Sequence, residues 1–229
     1  MAAAPSGLNR FYYVLGAVAL IGIAALGYLT LRKPPISIPA NVTIQVSDTS
    51  GFHGYYMGSD SAPLVVTEYA DYECPACQQF MVVQMPTIEE RLIRTGKVRW
   101  RYRDFPLEQH RNALAAGHAA ACADEQGKYW LMNQRIYSWD PSWPIKQDAS
   151  GIFHDYAKEL GLDLAKYDQC MESARYAGRL AASRMEGKRV GVESTPTFLI
   201  NGRLFLGGES VHYDMLKALL DSLHGQPAR

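Results

Sequence analysis

The sequence predicts an α/β fold: a central mixed β-sheet flanked by helices, with an inserted α-helical domain and an N-terminal transmembrane helix ahead of it. Three patterns carry this reading. Strand-like, helix-like and strand-like stretches follow one another across residues 61–105, which is one βαβ unit. A long, Ala-rich helical block fills residues 106–190. A hairpin signal and an amphipathic helix at 191–224 return to the same sheet.

The elements follow in order. Phe11 to Leu31 carries no charge and is long enough to cross a bilayer as a helix, with Arg10 before it and Arg32 and Lys33 behind. A cleaved signal peptide has a shorter apolar core and a small-residue cleavage site. No Ala-x-Ala follows this core, so residues 1–33 read as an uncleaved anchor. Residues 34–60 are rich in Pro, Gly and Ser and read as a tether, with one short strand at Val42–Val46. Ala62 to Ala70, with Val65, Val66, Thr67 and Tyr69, favours a strand. A helix should start near Pro75, be kinked or interrupted at Pro86 and stop at Gly96. From Lys97 to Pro106, Val98, Trp100 and Tyr102 alternate with Arg99, Arg101 and Arg103, the period of a strand with one buried face.

The helical block has its own punctuation. Gly127 should break the Ala-rich stretch, Ser150 should cap the next helix, and Gly161 should end it. Asn201-Gly202 lies between two short apolar runs and is a strong hairpin signal. Met215, Leu216, Leu219, Leu220 and Leu223 then fall at helical spacing. Tyr129, Trp130, Trp139 and Trp143 suit either a substrate groove or the core of the insertion.

Charge narrows the function. Lys plus Arg and Asp plus Glu number 23 each, so the chain offers no net positive field for nucleic acid. The six histidines show no ligand-like spacing, and His110 and His118 read as ordinary surface or core residues.

The stretch EYADYECPACQQF, Glu68 to Phe80, contains the chemistry. Cys74 sits where a strand should end and a helix begin. Unpaired backbone N–H groups there favour a thiolate over a thiol. Pro75 suits the first helical position, and Cys77 lies within one turn, in reach of Cys74. A low thiolate pKa makes Cys74 a good leaving group and the disulfide an oxidant. Three other readings remain. A structural disulfide across two residues closes too short a loop to stabilise much. A zinc site would need a second Cys or His pair. The pair could also be buried and inert.

This segment resembles the active site of the thioredoxin superfamily, and within it the DsbA-like thiol:disulfide oxidoreductases. ESTPTFLINGR, Glu193 to Arg203, resembles the loop that carries the family's cis-proline, here Pro196. RDFPL, AAACADEQGKYW and KYDQC resemble the helical insertion of the membrane-tethered group. The similarity spans residues 58–224. It implies a thioredoxin fold, with Cys74 as the exposed attacking cysteine and Cys77 as its buried resolving partner. Pro196 would set the Thr195 backbone beside Cys74; its plainer reading is a proline at a strand start. Glu68 would be the buried acid that relays protons to Cys77, or else a solvent-facing strand residue. Ala76 departs from the histidine of the best-known members, which removes one source of thiolate stabilisation.

Cys122 and Cys170 fall in two predicted helices of the insertion. Relatives in the resembling group join these helices by a structural disulfide, which on the loop-entropy model adds about 4 kcal/mol; two free buried thiols are the alternative. The resemblance implies dithiol–disulfide exchange on folding secreted proteins outside the cytoplasmic membrane. It also implies recharging by a quinone-linked membrane oxidase resembling DsbB or a vitamin K epoxide reductase, with no bound cofactor or metal. A reductase or isomerase, or a thioredoxin-fold copper-delivery protein, would carry a similar motif.

Overall fold

The computed structural model describes residues 7–31 and 51–224. The strand expected at Val42–Val46 lies outside the described residues. The chain divides into two units, residues 1–34 and 35–229. The first contains α1 (Gly7–Leu31), whose segment Phe11–Tyr28 has a mean hydropathy of 1.9 and no buried residue. By length and composition it can cross a membrane.

The second unit is built on a five-stranded sheet of order β1-β3-β2-β4-β5. Its strands are β1 (Tyr55–Met57), β2 (Leu64–Ala70), β3 (Val98–Asp104), β4 (Thr197–Ile200) and β5 (Arg203–Leu206). Only β2 and β3 run parallel; β1 pairs with β3, and β4 with β2 and β5, antiparallel. β1 adds an element that the reading of 34–60 did not include: Tyr55–Met57 hydrogen-bonds along β3 as an edge strand.

Between β2 and β3 the chain forms α2 (Pro75–Val83), α3 (Met85–Ile88) and a π-helical turn (Glu89–Ile93). Pro86 occupies the first turn of α3, where its missing N–H leaves no gap. Gly96, at φ 73°, reverses the chain into β3. The Asn201-Gly202 turn has positive φ at both residues, 50° and 76°, as a tight hairpin between twisted strands requires.

Five helices form the insertion: α4 (Ala113–Asp124), α5 (Tyr129–Tyr137), α6 (Ser150–Glu159), α7 (Leu164–Ser173) and α8 (Ala177–Arg189). Ser150 is the first residue of α6 rather than its cap. The cap position is Ala149, which has no capping side chain, and Asp148 Oδ1 just before it accepts from the Ser150 N–H at 2.9 Å. Asp163 caps α7 by accepting from the N–H groups of Ala165 and Lys166. α9 (Tyr213–His224) closes the fold and buries Leu216 and Leu220, while Leu223 keeps about a third of its surface exposed, 36%.

Both faces of the sheet are covered. On one face Trp100 and Phe198 pack against Phe80 of α2, with ring centroids 5.8 and 4.7 Å from it. On the other, Tyr69 and Phe105 face α8. This second layer defeats the simple alternation of β3. Arg103 is 1% exposed because Glu186 on α8 pairs with both it and Arg101. Tyr129 and Trp143 are buried, Trp130 is half-buried and donates to the Tyr56 carbonyl, and Trp139 stands 63% exposed.

Gly187 allows α8 to lie against the sheet. A Cβ there would come within 2.7 Å of the Phe105 ring and 3.0 Å of the Tyr69 ring. Gly187→Ala should therefore lower stability by about 1–3 kcal/mol through overpacking. Gly151→Ala, at a helical site with nothing within 4 Å, should instead be neutral or raise it by up to about 1 kcal/mol. Urea unfolding of the two variants measures the contrast.

Candidate active site

β2 is the middle strand of the sheet, so its C-terminal end opens between β3 and β4. The turn that leaves it is organised by Asp71. Its Oδ1 accepts from the Glu73 N–H at 2.7 Å, its Oδ2 from the Leu107 N–H at 2.7 Å, and its carbonyl from the Cys74 N–H at 3.1 Å. The His110 ring lies 2.8 Å from the same carboxylate. This places Cys74 in an extended conformation at the cap position of α2, with Pro75 next and no side-chain cap. The start of the helix is therefore left open toward the cysteine.

Thr195 and Pro196, joined by a cis peptide bond, approach from the loop before β4. The Cys74 thiol donates to the Thr195 carbonyl at 3.3 Å. Both cysteines are free thiols, and they differ in access: Cys74 keeps 7% of its surface and Cys77 none. The attacking sulfur of the resemblance is thus less open than that pattern implies.

The two thiols are driven in opposite directions. Cys74 is lowered to about 6, first by a hydrogen bond from the Cys77 thiol, with burial opposing it. The Thr195 side chain and the backbone N–H groups of Cys77 and Ala76 add smaller contributions. The Thr195 hydroxyl has no hydrogen-bond partner among the described residues and is a donor available to the Cys74 thiolate. Cys77 is pushed well above the usual thiol range, first by burial and then by its coupling to Cys74. The helix start contributes through those N–H groups, but its share ranks behind the neighbouring thiol.

Beneath Cys77 lies Glu68, fully buried on the same face of β2 as Val66 and Ala70. Its Oε2 accepts from Trp100 Nε1 at 2.9 Å, and Oε1 has no partner among the described residues. Burial raises this carboxyl to about 8, with the Trp100 bond opposing, and its charge in turn raises Cys77. Tyr137 of α5 feels both Cys77 and Glu68 and hydrogen-bonds Tyr102 at 2.8 Å. Sequence reasoning missed Asp71, Trp100 and Tyr137. An Asp three residues before a helix-start cysteine is a local turn signal for the first; nothing local marks the other two. The remaining cysteines, Cys122 on α4 and Cys170 on α7, are bonded to each other within the insertion.

A family model described as Thioredoxin matches residues 52–222. The chain belongs to the thioredoxin family. It is 36% identical over 149 residues to the Na(+)/H(+) antiporter NhaA 3 of Salinispora tropica, a match covering 64% of this chain and 21% of that protein. The chain spans between 21% and 24% of the antiporter relatives it matches first. It is 24% identical to the probable disulfide bond formation protein D of Bacillus anthracis, covering 72% of this chain and 76% of that one. Among solved structures it resembles Wolbachia pipientis alpha-DsbA1, with a TM-score of 0.63 at 22% identity over 74% of this chain and 90% of the other. Chlamydia trachomatis DsbA gives 0.67 at 18% identity, covering 86% and 100%. These likenesses establish the shared fold, a thioredoxin sheet with a helical insertion.

Glu68 leaves a thermodynamic mark. Its folded pKa, about 8, lies above its ordinary value of 4.5. Its contribution to stability is fully present below pH 4.5 and is lost as pH rises through 8. In the disulfide form, where Cys74 does not titrate, Glu68→Gln should gain on the parent by about 1.4 kcal/mol per pH unit between pH 5 and 8. Denaturant unfolding at a series of pH values measures the slope difference.

Proposed function

We propose that this chain is a thiol:disulfide oxidoreductase that introduces disulfides into extracytoplasmic proteins at its Cys74-Pro75-Ala76-Cys77 site. The observation that carries this reading is the split between the two thiols: Cys74 near 6, beside the Thr195 backbone, and Cys77 far higher. A structural or metal-holding pair has no use for that asymmetry, whereas an exchange reaction does.

In the reaction, a client thiolate attacks the Cys74 sulfur of the Cys74–Cys77 disulfide. The S–S bond breaks and Cys77 departs as a thiolate. Its high proton affinity demands a proton at once. Glu68, protonated below about 8, is the buried acid that supplies it. The client is now joined to Cys74. A second client thiolate attacks the first client sulfur and Cys74 leaves, its thiolate held by the donors around it. Counted from its dithiol form, the client has lost two electrons to the pair and two protons to solvent; solvent returns one proton to Glu68 in place of the one passed to Cys77, leaving Cys77 as a thiol and Cys74 as a thiolate.

Thr195 and Pro196 place a backbone edge beside the reacting sulfur, which suits an extended client segment. A cleft of about 100 Å³ borders Ala76 and Phe80, too small for an ordinary small-molecule substrate. A quinone-linked membrane oxidase, of the DsbB or vitamin K epoxide reductase kind, would return the pair to the disulfide. Helix α1 would anchor the chain in the cytoplasmic membrane with the catalytic unit outside it.

A Cys77→Ser variant expressed in cells should accumulate mixed disulfides on Cys74 with secreted clients, seen on non-reducing gels and identified by mass spectrometry. A trap that yields only a membrane reductant overturns the oxidase reading.

A further inference from the structure

A second group of metal-capable side chains lies in the insertion, apart from the redox motif. His118 and Cys122 sit one turn apart on α4, and Cys170 faces them from α7. A ring nitrogen of His118 and the two sulfur atoms all lie within 4.8 Å of one another, and all three residues are buried. In the structure the sulfurs are joined to each other.

The histidine is set up as a ligand rather than as a simple core residue. Its Nε2 lies 3.2 Å from the Cys170 carbonyl, which can only accept, so Nε2 bears the hydrogen. Nδ1 then carries the free lone pair, and among the described residues it has no hydrogen-bond partner although His118 is 0% exposed. A backbone carbonyl that fixes one ring nitrogen is the usual support of an imidazole that binds a metal through the other. The same carbonyl also accepts from the Ser173 hydroxyl at 2.7 Å. An imidazole packed against a disulfide for space alone has no need of a bare, unpaired nitrogen in a dry core.

We propose that, when Cys122 and Cys170 are thiols, His118, Cys122 and Cys170 together bind one Cu(I) ion, and that the ion and the Cys122–Cys170 bond exclude each other. Two thiolates and an imidazole are soft donors that favour Cu(I) or zinc. Structural zinc takes four ligands, and no fourth His, Cys, Asp or Glu joins the group among the described residues. Three donors and no added water suit Cu(I). The charges that bear on His118 are Arg175 and Glu125. An external dithiol generates the competent form: it passes two electrons and two protons to the disulfide and becomes a disulfide itself. Cu(I) then displaces the two thiol protons. The inference does not depend on the activity proposed for Cys74 and Cys77.

The test uses the full chain with Cys74→Ser and Cys77→Ser, so that the insertion supplies the only two cysteines. It is titrated with Cu(I) buffered by bicinchoninate, before and after reduction with dithiothreitol and removal of the reductant. The reduced chain should bind one Cu(I) and the disulfide form none, and X-ray absorption should show two sulfur ligands and one nitrogen. His118→Ala should weaken binding by about tenfold or more and remove the nitrogen. If that variant fails to fold, the spectrum of the His118 chain decides alone. No binding beyond that of the disulfide form, an all-sulfur shell, or binding only to a chain without native circular dichroism overturns the proposal.

Discussion

The hydrogen bond between the two thiols of the Cys74–Cys77 pair is the interaction on which the rest of the site depends. It favours the ionised form of one sulfur by keeping the other protonated: it is the main cause that lowers Cys74, and it adds to the burial that raises Cys77. Burial alone would raise both. The fold supplies what the contact needs: a cap position for Cys74, a following turn that brings Cys77 beneath it, and a dry floor under Cys77. The Asp71 turn provides the first and the Phe80–Trp100–Phe198 packing the last.

The dry floor has a second consequence. Glu68 sits inside the sheet with one bond from Trp100 and one bare oxygen, an arrangement that costs stability above the usual carboxylate range. A protein selected only for stability would place an apolar residue there. Beside a thiol that must take up and release a proton in a water-poor site, the same carboxyl becomes useful. The tyrosines of α5, β3 and the turn after β2 extend this buried polar layer into the insertion, where Tyr72 bonds Tyr129 and Tyr102 bonds Tyr137. The insertion therefore touches the chemistry rather than merely covering the sheet.

Much of the architecture was legible because its signals are local. The period of Val98, Trp100 and Tyr102, the Asn201-Gly202 turn and the Pro75 start each act over a few residues. The errors have a common cause in distant partners. β1 is three residues in a Pro- and Gly-rich stretch and exists only because β3 offers an edge. Arg103 is buried because Glu186, on a helix far along the chain, meets it. Cys74 shows the same limit at the site. Its place at a helix start was readable, and so was the expectation of a low pKa. The ranking of causes was not, because it depends on where the Cys77 thiol points once α2 is formed. The contact of Glu68 with Trp100 likewise follows from strand register, which no local pattern specifies.

The most direct test is a thiolate titration of reduced protein at 240 nm, comparing the parent with Cys77→Ala. The hydrogen-bonding account predicts ionisation of Cys74 near 6 in the parent and a clear upward displacement toward the ordinary thiol value in the variant. An unchanged midpoint in Cys77→Ala would contradict it and return the effect to the helix start.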